Sequence, residues 1–295
     1  MGGLRSLPVC LLMLGAQAVL CSTCGAQVLE QLRTDVRSSA PDPPESPDKT
    51  PRRRDDSCDR RGSYFGNSCD DDDESGLNDL IGMGVFWGLT SPFWAPPVMI
   101  GDSYSATGFF SRYPYVDGID GYQMIDPDLY SEPYDWSLRV RGEYANDFDN
   151  LERIGGHILW EGTHRFGIDT AFNYRHEEMP AGDDDLWHGD ANLVFRFAQS
   201  ENVQMRAGLG TNWLHDDDGT DWGFNFTYGG DWYPVRPLVV STEIDWGTLG
   251  SAGLFHGRAT VGVVWHGVEF YTGYDYYDVG TTQIDGLVGG LRVWY

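Results

Sequence analysis

From Trp136 to Tyr295 the charged residues fall almost entirely on one of two alternating sets of positions. The stretch divides into segments of about ten residues, the length that a tilted strand needs to cross a bilayer. Because a β-strand points successive side chains to opposite faces, each segment predicts a strand with one uncharged face and one charged face. In the last segment we assign Asp285 and Arg292 to the charged face. The predicted strands are 136–145, 151–161, 165–175, 187–198, 202–213, 222–232, 238–246, 255–265, 268–277 and 284–295.

Tryptophans and link lengths support a membrane environment for the uncharged faces. Eight tryptophans lie on the uncharged set near segment ends: Trp136, Trp160, Trp187, Trp213, Trp222, Trp232, Trp246 and Trp265. Such rings favour the headgroup level of a bilayer. Short links (162–164, 199–201, 233–237, 266–267) alternate with links that are longer or more acidic and glycine-rich (146–150, 176–186, 214–221, 247–254, 278–283), as in barrels with brief periplasmic turns and longer outer loops. A soluble barrel, the alternative, would need a mostly polar exterior.

The final segment, QIDGLVGGLRVWY, ends in an aromatic residue, Tyr295. With the preceding strands it resembles the bacterial outer-membrane β-barrel class, the small porin-like and OmpX- or opacity-like barrels, over residues 136–295. The resemblance implies an all-β, antiparallel up-and-down transmembrane β-barrel of about ten strands. It also implies an outer-membrane location, with the N- and C-termini in the periplasm. No closer family is assigned, and the long acidic tail ahead of the barrel departs from these small barrels.

The chain ahead of the barrel begins with a predicted signal peptide, residues 1–26. Arg5 precedes an apolar run from Leu7 to Leu20, and small residues permit cleavage after Ala26. Lipidation at Cys21 or Cys24 is the alternative.

Residues 27–76 show no helical or strand period, and we expect a disordered, acidic and proline-rich periplasmic spacer. An oxidising periplasm favours a disulfide between Cys58 and Cys69, with two free thiols as the alternative.

The segment 77–134 is apolar and rich in glycine, proline and aromatic residues, and it carries no charge from 80 to 100. Pro92, Pro96 and Pro97 argue against one continuous helix. We expect a short helix over about 77–90, followed by an extended chain. The sequence leaves open whether this segment lies in the membrane interface, plugs the barrel or packs beneath it.

The inward-facing set predicts a charge network in the lumen, which consists of Arg139, Arg141, Glu143, Arg196, Arg206, Glu243, Asp245, Arg258, Glu269 and Arg292. Confined charges persist only when they are partnered or hydrated, and a small barrel is filled by its own side chains. We therefore predict a largely filled lumen and a structural or surface-interaction role. Inward glycines keep a small channel for ions or solutes open as the alternative.

Enzymatic activity has little support in the sequence, and we predict none. An omptin-like surface protease would use rim residues such as His215 and Asp216, and a lipid-modifying barrel enzyme would need Ser251 near His256. Neither pattern forms a specific motif. We predict no cofactor.

The partners that we expect are lipids of the outer membrane. Asp183, Asp185, Asp216 and Asp218 are candidates for a divalent cation that bridges the rim to surface glycolipid, although solvated loops are the simpler interpretation. The formal charge of −25 excludes a nucleic-acid partner, which requires a basic surface.

Overall fold

The computed structural model describes residues 28–38, 90–102, 107–126, 128, 132–147, 150–180 and 182–295. The predicted signal peptide and the predicted Cys58–Cys69 disulfide lie outside these residues. No helix among the described residues combines the length and the apolar character needed to cross a membrane.

In the described part of the chain, ten strands form one closed antiparallel barrel, in which each strand pairs with its neighbours in sequence. The last strand closes the barrel against the first, with Trp294 opposite Arg139 and Leu287 opposite Asn146. The predicted up-and-down barrel is confirmed. The ten strands are β3 (Trp136–Asn146), β4 (Leu151–Gly162), β5 (Phe166–Glu177), β6 (Asp184–Gln199), β7 (Val203–Asp216), β8 (Gly219–Val235), β9 (Leu238–Leu249), β10 (Ala252–Trp265), β11 (Val268–Val279) and β12 (Thr282–Trp294), and they follow a small sheet of β1 (Phe109–Phe110) and β2 (Gln123–Met124).

The barrel wall sorts its side chains as a membrane barrel must. Phe224, Val261 and Leu291 point outward and keep 53%, 48% and 46% of their surface exposed. Arg196 and Arg258 point inward and keep 0% and 6%. Since a soluble barrel would bury the apolar set in its interior, this arrangement is that of the bacterial outer-membrane β-barrel class.

The two ends of the barrel differ, and we name them by what closes them. The plug rim carries the links 163–165, 200–202, 236–237 and 266–267, together with the chain end at Tyr295. The opposite end, the α1 rim, carries the links 147–150, 178–183, 217–218, 250–251 and 280–281.

Three links on the α1 rim are tight two-residue turns rather than the longer loops that the sequence suggested. Gly250 and Gly280 take positive φ angles of 55° and 63°, which suit tight turns. Some acidic residues assigned to loops instead extend the strands: Asp184 and Asp185 belong to β6, and Asp216 of β7 pairs with Gly219 of β8. Asp285, which we assigned to the charged inner face, lies exposed at the strand end near this rim and accepts a hydrogen bond from the hydroxyl of Tyr274.

Helix α1 (Val28–Arg37) lies at the α1 rim, in a stretch that we assigned to a disordered spacer. Its apolar stripe consists of Leu29, Leu32 and Val36, which are almost fully buried against strand ends at the rim. A helix of this length is marginal by itself, so its formation depends on that surface. The assignment of residues 28–37 to a disordered spacer was wrong because the burying surface lies far away in the sequence.

The segment ahead of the barrel divides into two parts. Residues 90–100, the wall helix, lie against the outer wall, whereas residues 107–124, the plug, fill the mouth at the plug rim. The prediction of an extended chain was wrong for residues 90–100. A proline at position 96 leaves the carbonyl of Pro92 without its helical partner, and the hydroxyl of Tyr228 donates to that carbonyl at 3.0 Å.

Candidate functional site

The centre of the lumen is built around one carboxylate, Glu143 on β3. It accepts hydrogen bonds from Arg258 at 2.9 and 3.1 Å, and Arg153 and Arg141 approach it at 3.0 and 3.1 Å. The hydroxyl of Tyr271 also donates to it at 2.9 Å. Because Arg258 lies on β10, three strands from β3 around the barrel, its ion pair with Glu143 reaches across part of the lumen.

A second group of ion pairs lies nearer the plug rim. Asp231 accepts from Arg139 at 2.6 Å and from Arg206 at 2.8 Å. Arg196, which is fully buried, pairs with Glu161 at 3.0 Å. In the same region Arg292 and Glu269 are 2.8 Å apart.

The ten residues that we assigned to the lumen network are all buried. Sequence reasoning did not single out Arg153, Asp231 or Asp275, although these residues also sit on the inward-facing set. Parity marked them as inward, but their pairing depends on how strands on opposite walls face each other, which no sequence spacing reveals.

One cluster in the lumen has the donor types of a metal site. Glu243, Asp245 and His256 offer ligand atoms within 4.8 Å of one another. However, His256 lies between two aspartates, with its Nδ1 2.9 Å from Asp245 and its Nε2 3.0 Å from Asp275. Arg258 also lies 2.7 Å from Asp275. Both ring nitrogens of His256 are therefore already engaged by carboxylates of the barrel.

The space beside this cluster is small. The cavity measures about 20 Å³ and is lined by charged residues from several strands, among them Arg141, Asp190 and Glu243. Because a cavity must offer roughly 10–15 Å³ to hold one water molecule, this cavity accommodates a water molecule rather than a solute.

At the α1 rim, two arginines of α1 neutralise the acidic strand ends. Arg33 pairs with Asp184 at 2.5 Å and with Asp216 at 2.8 Å. Arg37 pairs with Asp216 at 2.7 Å, Asp221 at 2.8 Å and Asp218 at 3.2 Å. The hydrogen bonds that Arg33 donates to Asp184, together with the negative charges of Asp184 and Asp216, raise the pKa of Arg33 above its usual value.

The structure does not gather the four candidate cation ligands into one site. Asp216 and Asp218 bind the guanidinium of Arg37. Asp185 instead accepts from the hydroxyl of Tyr174 and contacts His176, each at 2.6 Å, while Asp183 is exposed. The arginines of α1 thus occupy part of the position that we had considered for a cation.

Polar contacts also hold both ends of α1. The backbone amides of Val28 and Leu29 donate to the carboxylate of Glu177, each at 2.9 Å, where a negative charge favours a helix N-terminus. The amide of Ser251 donates to the carbonyl of Val36 at 2.8 Å. The α1 rim therefore provides polar partners for both ends of α1, in addition to the apolar surface against which its side chains are buried.

Asp35 ties α1 to the link between β11 and β12. Its carboxylate accepts from the hydroxyl of Thr282 at 2.8 Å and from the amide of Thr281 at 2.9 Å. Burial alone would raise the pKa of Asp35, but these hydrogen bonds outweigh it, and the pKa is lowered from its usual 3.8.

The plug closes the other rim with aromatic side chains. Tyr122 is fully buried, with its ring 4.6 Å from that of Trp294 and 5.7 Å from that of Phe110. Burial raises the pKa of Tyr115, in the same cluster, to about 12. At Gly121 a Cβ would lie 1.7 Å from the carbonyl of Glu201, so only glycine permits this approach.

The residues considered for catalysis do not form a catalytic arrangement among the described contacts. The hydroxyl of Ser251 donates to the carbonyl of Val36, whereas His256 faces Asp245 and Asp275 in the lumen. His215 contacts Thr220 at 2.9 Å, and the neighbouring Asp216 binds the arginines of α1. The geometry supports ion pairing and packing at these positions.

A scan against protein-family models and a comparison with curated proteins found no match. Among solved structures, the chain is similar to Ail, an outer-membrane protein of Yersinia pestis in a phospholipid bilayer nanodisc, with 14% identity and a TM-score of 0.30. That similarity covers 55% of this chain and 99% of Ail.

Two proteins of Acinetobacter baumannii are also similar. The outer-membrane channel DcaP shows 9% identity and a TM-score of 0.27, over 64% of this chain and 70% of DcaP. CdiB shows 9% identity and a TM-score of 0.27, over 50% of this chain but only 39% of CdiB's length. TM-scores of this size do not establish a shared function.

Proposed function

We propose that this outer-membrane β-barrel does not conduct and has a structural or surface-interaction role. The observation that carries the proposal is the network of ion pairs across the lumen, in which Glu143 binds Arg141, Arg153 and Arg258. Removing one partner from such a network leaves buried charges uncompensated, at a cost of about 3–5 kcal/mol. A pathway that opened through the centre would have to meet that cost.

Both ends of the lumen are also closed by the chain itself. Helix α1 packs Leu29, Leu32 and Val36 against one rim, and the plug seats Tyr122 in the other. We place the plug rim and Tyr295 in the periplasm, because the resemblance to small outer-membrane barrels implies a periplasmic C-terminus.

The direct test is conductance in planar bilayers. We expect silence across salts and voltages for the full chain, and also for the Asp216→Asn variant, which weakens the docking of α1. The Glu143→Gln variant, which keeps the shape of the side chain but removes the central charge, is the matched lumen variant. Heat-modifiable gel mobility checks that each protein is folded.

A small channel is the second candidate, and a water-sized cavity beside Glu243 and His256 is the space in the lumen from which a narrow wet path could extend. Stepwise currents from the full chain would establish this function. Currents from Asp216→Asn alone would indicate a channel that α1 closes. Currents only from Glu143→Gln would show that the central ion pairs seal the lumen.

A surface-interaction role also makes a positive prediction about binding. Vesicles that contain anionic glycolipid and magnesium should retain the protein through the exposed acidic residues of the α1 rim. Asp183→Asn combined with Asp185→Asn should weaken this retention, whereas Asp120→Asn on the plug should not. If the unchanged protein, the double variant and Asp120→Asn are retained equally, the carboxylates of the α1 rim do not contribute to vesicle binding.

A further inference from the structure

The described residues ahead of the barrel lie at opposite ends of it. Helix α1 sits on the α1 rim, whereas Asp102 sits at the plug rim. Arg165, in the link between β4 and β5, donates to both oxygens of Asp102 at 2.8 Å. The backbone amide of Gln199, at the end of β6, donates to Asp102 at 3.0 Å. The chain between Ser38 and Asp102 must therefore connect the two rims.

The wall helix packs against the outside of the barrel at strands β6 and β8. The ring of Phe93 lies 5.8, 5.9 and 6.2 Å from the rings of Phe197, Tyr228 and Phe226. Phe226 pairs with Leu209, which is well inside β7 and close to mid-height.

Helix and strand dimensions agree with a path from mid-height to the plug rim. The helical rise from residue 93 to the helix end at residue 100 is about 10 Å, and residues 101 and 102 continue the chain to Arg165. The height of a tilted strand from Val203, at the plug rim, to Leu209 is about 15 Å.

The surface that the wall helix covers, and the face that it leaves open, are both apolar. Phe197 keeps only 5% of its surface exposed, although it belongs to the outward-facing set on which Phe224 keeps 53%. On the helix itself, Val98 and Met99 are exposed by 71% and 83%. Because these side chains continue the lipid-facing surface of the barrel, their partner is the hydrocarbon of the bilayer.

Neither the lumen nor a charged segment provides a route between the rims. The lumen is filled by ion pairs and holds cavities of about 20 Å³ or less, which are too small for a polypeptide. Segments such as 52–54 and 70–74 carry charges that hydrocarbon does not accept. After Asp79 the sequence has no charge until Asp102, and a crossing helix needs about 20 such residues.

We propose that the chain crosses the bilayer outside the barrel by way of the wall helix, so that α1 and the plug lie on opposite sides of the membrane. The wall helix is the described part of this crossing, and the pair of Asp102 with Arg165 fixes its end at the plug rim. The N-terminal helix then faces the outside of the cell, in contrast to the periplasmic N-terminus that the sequence resemblance implied.

Cysteine labelling in cells tests this topology. Thr34→Cys reports on the exposed side of α1 and Arg112→Cys on the plug, each in a Cys58→Ser, Cys69→Ser background. Asp217→Cys and His266→Cys mark the α1 rim and the plug rim of the barrel. A membrane-impermeant maleimide is applied before and after the outer membrane is permeabilised.

We expect Thr34→Cys to be labelled together with Asp217→Cys in intact cells, and Arg112→Cys together with His266→Cys only after permeabilisation. Labelling of Thr34→Cys and Arg112→Cys at the same stage would overturn the crossing. Labelling of Thr34→Cys together with His266→Cys would also overturn it, because α1 would then lie on the plug side. Heat-modifiable mobility identifies folded variants, and only these are scored.

A depth measurement tests the wall helix itself. Spin labels at Met99→Cys, at Phe224→Cys on the lipid-facing wall and at Asp120→Cys on the plug are compared in lipid nanodiscs. We expect Met99→Cys to match Phe224→Cys, with high access to oxygen and low access to a water-soluble nickel complex. If Met99→Cys matches Asp120→Cys instead, the wall helix is not in hydrocarbon and the proposal fails.

Discussion

The two ends of the barrel are closed in physically different ways. At the α1 rim, one helix buries three apolar side chains, and its Arg33 and Arg37 form ion pairs with four aspartates of the barrel. At the plug rim, aromatic rings of the plug pack against Tyr233 and Trp294 from the barrel, and the described side chains of the plug form no ion pair with the barrel. Docking at the α1 rim should therefore respond to charge and salt, whereas docking of the plug should respond to side-chain volume.

The plug and helix α1 also differ in how far they lie from the barrel along the sequence. The plug leads directly into β3, and the backbone of Tyr134 pairs with Phe110. Helix α1 is separated from the barrel by most of the N-terminal sequence. Release of α1 is thus the easier of the two events, and the experiments that follow compare release at the two rims.

The largest effect is expected from Tyr122→Ala at the plug rim. Truncating a fully buried aromatic residue costs about 3–5 kcal/mol. If this loss appears as local opening, proteolysis within residues 107–124 should accelerate at least about a hundredfold. Limited thermolysin digestion of the protein in nanodiscs measures this rate.

Tyr134→Ala is the matched control, because it removes the same volume from a residue that is 39% exposed. Its digestion rate should stay close to that of the unchanged protein, and so should tryptic cleavage of α1 in both variants. Equal acceleration by Tyr122→Ala and Tyr134→Ala would show that the aromatic core does not hold the plug.

A smaller effect is expected from Asp216→Asn at the α1 rim. Asp216 pairs with both arginines of α1, and hydrogen bonds to charged groups contribute about 1.5–3 kcal/mol. Tryptic cleavage after Arg33 and Arg37 requires α1 to undock, so its rate should rise about ten- to a hundredfold.

Asp183→Asn provides the control for this second variant, because Asp183 lies exposed near the same rim. In 1 M salt the difference between Asp216→Asn and the unchanged protein should shrink, since partly exposed ion pairs are screened. Equal cleavage rates for Asp216→Asn and Asp183→Asn would show that ion pairs do not hold α1. If salt accelerates digestion of the plug as much as cleavage of α1, the two rims do not differ in their dependence on charge.

The sequence predicts the barrel wall well because hydrocarbon imposes one rule on every strand. Each outward position must be uncharged, so the parity around Phe224 or Val261 can be recognised without knowledge of any neighbour. The inward set is recognisable for the same reason. Which partner each charge takes is not, because Arg258 and Glu143 are far apart in sequence and meet only when the barrel closes.

Helix α1 and the wall helix were harder to predict, because each forms against a surface that exists only once the barrel has folded. The stripe of Leu29, Leu32 and Val36 is too short to stand out from a charged, proline-rich tail. The prolines of the wall helix argue against a helix until Tyr228 is known to satisfy the carbonyl of Pro92. The receptor in each case is encoded more than a hundred residues later in the chain.

The smallest effect is expected from the pH dependence of α1 docking through Asp35. Because the pKa of Asp35 is lowered when α1 is docked, the ionised carboxylate stabilises docking. This contribution is complete above the usual value of 3.8 and is lost as the pH falls through the lower value of the docked state. A spin label at Thr34→Cys, whose mobility reports the undocked fraction, measures this loss between pH 5 and pH 2. Asp35→Asn should undock more than the parent protein above about pH 4, because it lacks the charge that the docked state stabilises. The two proteins should converge towards pH 2, and a difference that persisted or widened there would show that Asp35 does not contribute through its charge.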